Sequence, residues 1–339
     1  MNTIAPPHSE TAVIDLSEVI AIKNLRTTIG RANVPIVDGI NLSIKRGKTL
    51  GIVGESGCGK SMLSLSVMGL VPPICRIEGS INLTGQDLVG LSDGQMRRIR
   101  GKRIAMILQE PMTSLNPVLT VGFQIVEAMR AHDSYSTAKS LRERAIRALE
   151  QVRMPAAERR FDEYPHQLSG GMRQRAAIAM ALCCKPEVLI ADEPTTALDV
   201  TVQAEILDLL RDLQAETQMA IILISHDLGV VAQMADEVAV MYAGRIVEHA
   251  SCTSLFEDPQ HPYTIGLLGS IPRMDIEEKE LLSIDGNVPL LTSMPNGCRF
   301  HPRCVFSDIK CARERPVLQG INENHFVACI HSPIEETSK

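Results

Sequence analysis

Eight residues, Gly54-Glu55-Ser56-Gly57-Cys58-Gly59-Lys60-Ser61, have the types and spacing of a phosphate-binding loop, GxxxxGK[ST]. Glycines let successive backbone N–H groups converge on phosphate oxygens, and a following helix adds positive potential. Lys60 is then expected to reach the β- and γ-phosphates of a nucleotide, and the Ser61 hydroxyl to ligate Mg²⁺. A second group is Asp192-Glu193, two carboxylates delivered by the apolar run Val188–Ala191. At the end of a buried strand Asp192 would hold Mg²⁺ through water, and Glu193 would polarise an attacking water as general base. Standing alone, such a pair is more often a solvated turn or a helix cap; the phosphate loop gives it a function.

Ser169-Gly170-Gly171 opens a helical stretch with small residues whose N–H groups are free, a further anion site or a plain Ser cap. One γ-phosphate does not need two such sites from one chain, so this one is expected to face a nucleotide held by a second subunit. Ser225-His226-Asp227 looks like a hydrolase triad, but three consecutive residues cannot converge on one substrate atom. Asp227 is more simply the cap of the helix that follows. Of nine cysteines, Cys298, Cys304, Cys311 and Cys329 crowd into the last part of the chain. Their spacing lacks the C-x₂-C knuckles of structural zinc. Four thiolates suit a cubane iron–sulfur cluster; a zinc ion and unligated buried thiols are the alternatives.

The elements that must hold these groups follow from the apolar pattern. Val19–Leu25, Ile36–Ile44, Lys48–Val53, Ile104–Leu108, Val188–Ala191 and Met219–Ile224 read as strands. Ser61–Leu70, Lys139–Val152, Met172–Cys184 and Val202–Gln214 have helical spacing. The alternation predicts an α/β layered domain, with a small helical insert over about 111–170. From residue 256 prolines become frequent, and 256–339 reads as a separate, irregular C-terminal module after a main domain at 17–255.

The 339 residues carry a net charge of −6, without the basic excess of a nucleic-acid-binding protein. No apolar run approaches the roughly 18–20 residues that cross a bilayer, and the first 15 residues lack the features of a secretory signal. The chain is therefore expected in the cytosol, reaching a membrane only through partners. An odd cysteine total in that compartment argues against a disulfide framework.

Taken together, the phosphate loop, Leu168-Ser169-Gly170-Gly171-Met172, and Val188–Pro194 followed by Ala197-Leu198-Asp199 resemble the ABC-transporter nucleotide-binding domain in order and spacing. So do Gln109 after Ile104–Leu108 and His226 after Met219–Ile224. The resemblance implies a P-loop NTPase (RecA-like) core with an antiparallel β subdomain, and two domains closing head to tail around two ATP molecules. It implies that Gln109 senses Mg²⁺ and the γ-phosphate while contacting the membrane subunit. By the same likeness His226 is the γ-phosphate switch, and Asp199 a contact across the dimer seam. Met172 stands where Gln is common, yet Gly-Gly-Met-Arg-Gln-Arg is similar to the peptide-importer branch. Ile29 occupies the place of the adenine-stacking aromatic, so a preference for ATP rests on the resemblance.

Leu255-Phe256, Pro259–Thr264 and Gly297–Cys304 resemble the C-terminal extension of oligopeptide, dipeptide and nickel importer ATPases. That likeness favours a [4Fe–4S] cluster on the four cysteines. It implies an ATPase that energises import of peptides or related small solutes from the cytoplasmic face of the inner (plasma) membrane. The implied partners are a second, related ATPase subunit, two integral membrane permease subunits and, indirectly, an extracytoplasmic solute-binding protein. The alternative is a soluble ABC-type ATPase not coupled to transport. The interval from Gln109 to Leu168 leaves no room for the long coiled coil of DNA-repair members, and only one nucleotide domain is present.

Overall fold

The computed structural model describes residues 17–108, 115–196, 198–270 and 284–334. Gln109 and Ala197, both assigned from the sequence, lie outside them. The chain opens with two long antiparallel strands, β1 (Glu18–Ile29) and β2 (Val34–Lys45), paired with Ala21 opposite Ser43. After β3 (Thr49–Val53) and helix α1 (Lys60–Met68) come β4 (Cys75–Leu83) and β5 (Gln86–Asp87). These close a four-stranded sheet in the order β2-β1-β4-β5. Its inner face carries Ile20, Ile22, Leu42 and Ile81, which pack with Leu63 and Val67 of α1 in one apolar core.

A short helix, α2 (Asp93–Arg97), leads to β6 (Ile104–Ile107). The second sheet has eight strands and contains β3, β6, β7 (Val188–Asp192), β8 (Ala220–Ile224), β9 (Glu237–Tyr242) and β10 (Arg245–Ser251). Every residue of β3, β7 and β8 is buried, as parallel strands covered on both faces require. The register is level across the middle. Asp192 pairs with Ile224, and Ile224 with Ile52. The segments that follow β3, β7 and β8 therefore leave the sheet at one height, at its carboxyl edge, where open α/β sheets bind ligands.

The insert consists of α3 (Val121–Arg130), α4 (Ala138–Gln151) and α5 (Ala157–Phe161). Their apolar faces, including Ile125, Leu141, Leu149 and Phe161, pack into a core shared with α6 (Gly170–Leu182) and α7 (Val200–Thr217). Helix α8 (Leu228–Met234) precedes β9. Asp227 caps it, its carboxylate accepting from the N–H groups of Gly229 at 2.8 Å and Val230 at 3.3 Å, as expected. Among the described residues no helix is long and apolar enough to cross a membrane.

The C-terminal part is irregular for much of its length but less separate than its prolines imply. After α9 (Cys252–Glu257), α10 (Pro262–Gly269) and α11 (Ile309–Arg313), two short strands, β11 (Gln319–Asn322) and β12 (His325–Val327), return to the main sheet. β12 pairs with β10, giving the order β11-β12-β10-β9-β3-β8-β7-β6. Side-chain charge fastens the same seam. Asp38 of β2 is gripped by Arg245 at 2.7 Å and by Arg299 of the tail at 2.6 Å. Tyr263 and Phe300 join Val53, Leu228 and Tyr242 in a third apolar core.

Candidate functional site

The loop between β3 and α1 opens at a position that only glycine can occupy. Gly54 has φ 149°, and a Cβ there would collide with the Met241 carbonyl oxygen of the neighbouring strand. The loop is pinned from inside as well. Cys58 is buried; its N–H donates to the Glu55 carbonyl at 3.3 Å and its own carbonyl accepts from Gly244. Burial pushes the Cys58 thiol up, so a small, neutral filler is what the position holds. The Lys60 ammonium is nine-tenths buried and donates to the carbonyls of Gly54 at 2.7 Å and Glu55 at 3.1 Å. Ser56, Gly57 and Ser61 are exposed at the mouth, and Gly59 sits at the N-terminus of α1.

Asp192 ends β7 beside this loop, its carboxylate close enough to Ser61 to feel the hydroxyl. Its Oδ1 is buried and has no hydrogen-bond partner among the described residues. Burial pushes the Asp192 carboxyl up, Ser61 opposes this, and the adjacent Glu193 charge adds to the rise. An oxygen donor set with one orphaned lone-pair site suits a hard divalent cation. Glu193 turns sharply away, with φ 49°, its N–H donating to the Ile224 carbonyl at 2.9 Å. Its carboxylate accepts from the Thr196 hydroxyl at 3.0 Å and lies 3.1 Å from His226 Nδ1. The imidazole itself is 62% exposed.

Ser169 caps α6, its Oγ accepting from the Met172 N–H at 3.4 Å. Ser169 and Gly170 are exposed, and Gly171 is half-buried. Among the described residues no hydrogen bond joins Ser169–Gly171 to Gly54–Ser61. The link is through the helix: Gln174, fully buried, donates to the Pro194 carbonyl just after the acidic pair. Asp199 caps α7 by accepting from the Val202 N–H at 3.0 Å. Ile29 closes β1 at its half-buried end.

Cys298, Cys304, Cys311 and Cys329 line one cavity together with His261 and His331. Gly297, at φ 65°, permits this, since a Cβ there would strike the Cys311 carbonyl region. The Cys298 N–H donates to the Cys311 carbonyl at 2.8 Å, tying the two segments. Burial pushes all four thiols up, Cys304 to about 11. A tetrahedral zinc ion would need sulphurs about 3.8 Å apart. Among the described residues the only group of three or more ligand atoms that gathers within 4.8 Å is that of Asp308, Cys311 and His331.

Two residues at the loop were not foreseen from the sequence. Arg303 forms an ion pair with Glu55 at 2.6 Å, and the Glu55 N–H donates to the Tyr263 hydroxyl at 2.7 Å. The available signal was the acidic side chain itself, out of place in an anion-binding loop.

The "ABC transporter" family matches residues 37–196, and the "Oligopeptide/dipeptide transporter, C-terminal region" family matches residues 247–311. The dipeptide transport ATP-binding protein DppD of Bacillus subtilis is 50% identical over 319 residues, spanning 93% of this chain and 95% of that protein. The oligopeptide transport ATP-binding protein OppD of Escherichia coli is 46% identical over 334 residues, 96% and 98% of the two chains. Among solved structures, the dimeric post-hydrolysis state of the ATP-binding cassette MJ0796 bound to ADP and Pi aligns with a TM-score of 0.61 at 27% identity. It covers 69% of this chain and 98% of its own. With its phosphate loop, paired carboxylates and cysteine-bearing tail, the chain belongs to the ABC transporter ATP-binding proteins, in the branch that carries the oligopeptide/dipeptide transporter C-terminal region.

Proposed function

We propose that the chain is the ATP-hydrolysing subunit that energises import of peptides or related small solutes through a membrane ABC transporter. The carrying observation is the level register that brings the ends of β3, β7 and β8 together. It sets the phosphate loop, Asp192-Glu193 and His226 around one space, in a chain whose tail is of the peptide-transporter type. The phosphate loop binds the ATP polyphosphate through its N–H groups and Lys60. Glu193, oriented by Thr196 and His226, accepts a proton from the attacking water. His226 keeps its second ring nitrogen for the γ-phosphate. Ser61, Asp192 and Gln109 would hold Mg²⁺, which supplies charge neutralisation for the developing phosphate charge.

Ser169–Gly171 and Asp199 serve a second, related ATPase subunit, completing its nucleotide site and receiving the same in return. Two permease subunits dock on the insert and engage Gln109, so the protein sits peripherally at the cytoplasmic face of the inner membrane. An extracytoplasmic solute-binding protein acts through the permeases. In domain terms, 17–255 is the nucleotide-binding unit and 256–339 the extension. Cys298, Cys304, Cys311 and Cys329 would hold a [4Fe–4S] cluster in a structural role. The cavity that the four thiols share supports this.

Co-expression with its permease subunits in membrane vesicles tests the reading. Peptide uptake and ATP hydrolysis that rise together support it, and ATP hydrolysis indifferent to the permeases refutes coupling to transport. Anaerobically purified protein without iron, sulfide and absorbance near 400 nm would remove the cluster.

A further inference from the structure

Glu55 is the only acidic side chain in Gly54–Ser61. In a loop that receives a polyphosphate, a bare carboxylate repels its ligand. The remedy comes from the far end of the chain. Arg303 holds Glu55 bidentately, Nη1 donating to Oε2 at 2.6 Å and Nη2 to Oε1 at 2.9 Å. The guanidinium is itself fixed. Its Nε donates to the Asp285 carbonyl at 2.7 Å, and Nη2 also meets the carbonyls of Ile284 and Gly286 at 3.2 Å. Its side chain is 6% exposed and lies against the rings of Tyr242 and Phe300. The Glu55 peptide is held by a second residue of the tail. Tyr263, fully buried and packed on Tyr242 with ring centroids 4.7 Å apart, accepts the Glu55 N–H.

We propose that Arg303 is a positioning residue for the nucleotide site: it neutralises Glu55 and, with Tyr263, holds the phosphate loop in the form that receives ATP. The inference deepens the proposed function and rests on the reading of Gly54–Ser61 as the ATP site. It follows that the C-terminal extension completes the nucleotide site of its own chain. Planar, two-point recognition of a carboxylate is a property of arginine that lysine does not reproduce.

The test is ATP affinity and steady-state kinetics of the full chain carrying Arg303→Met, Arg303→Lys, Glu55→Gln, the Glu55→Gln/Arg303→Met pair, or Lys60→Ala. Arg303→Met should weaken ATP binding about tenfold, with kcat at saturating ATP within about twofold of the parent. Arg303→Lys should recover only part of that loss. The decisive outcome is rescue: Glu55→Gln in the Arg303→Met background should restore affinity to within about twofold, because no unpaired carboxylate then faces the phosphates. A double variant as weak as Arg303→Met, or an Arg303→Met protein with unchanged affinity, overturns the proposal. If Arg303→Met does not fold, Arg303→Lys with and without Glu55→Gln makes the same comparison. Lys60→Ala that still binds ATP normally would instead refute the reading of the loop, so the two failures are distinguishable.

Discussion

Nδ1 of His226 stands 3.1 Å from Oε1 of Glu193, joining the ends of two adjacent parallel strands. The contact orients both groups: the imidazole turns its other nitrogen away from the carboxylate, and the carboxylate is left with limited freedom, since Thr196 holds its second oxygen. Glu193→Gln keeps the shape and removes the base. It should bind ATP as the parent does while hydrolysis falls at least ~100-fold. Parallel measurement of nucleotide binding and phosphate release decides this, and parental hydrolysis would remove Glu193 from its role.

Asp192 leads to a different expectation. A buried carboxyl with an unpartnered oxygen is held at a cost to the fold, and a cation offsets that cost. Asp192→Asn should leave the melting temperature of nucleotide-free protein no lower than the parent's. It should also abolish the extra thermal stabilisation that Mg²⁺ adds to ATP. Thermal melts with ATP alone and with ATP plus Mg²⁺ separate the two effects.

Asp38 is the electrostatic rivet between β2 and the tail. Burial pushes its carboxyl up, but the hydrogen bond from Arg245 and the charges of Arg245, Arg299 and Arg315 outweigh it, leaving it below its ordinary 3.8. With the folded value below the unfolded one, its contribution to stability is in place above about pH 4 and is lost as pH falls through the lower value. Asp38→Ala strands buried guanidinium groups, so it should cost about 3 kcal/mol in urea unfolding at neutral pH. It should also flatten that acid dependence. Unchanged stability at neutral pH would show that the arginines find other partners.

Much of the site was legible because its chemistry is local. The phosphate loop, the acidic pair and the glycine-led helix are each contiguous, and each sits where a strand ends or a helix begins; the phosphate loop could be read from its own spacing, and it and the family resemblance gave the other two their meaning. The main strands were legible for a similar reason: β3, β7 and β8 are largely apolar runs, buried at every position. Arg303 and Glu55 are 248 residues apart, and no local pattern links them. β11 and β12 were invisible because runs of four and three residues are too short to give an alternation to read. The shared cavity of the cysteines depends on the bend at Gly297 and on the helix that Asp308 caps, which irregular spacing does not announce.

The return of β12 to β10 bears on any attempt to trim the protein. Glu248 of β10 is wholly enclosed, accepting from the N–H groups of Gln260 at 2.7 Å and His261 at 2.9 Å, with His325 at 2.7 Å from Oε1. A chain cut after Ser251 would strip that carboxylate of every one of these neighbours and leave a raw sheet margin open to pairing between molecules. Such a fragment should be recovered from the insoluble fraction. Glu248→Val on the same fragment should raise the soluble yield only slightly, because the open margin would remain.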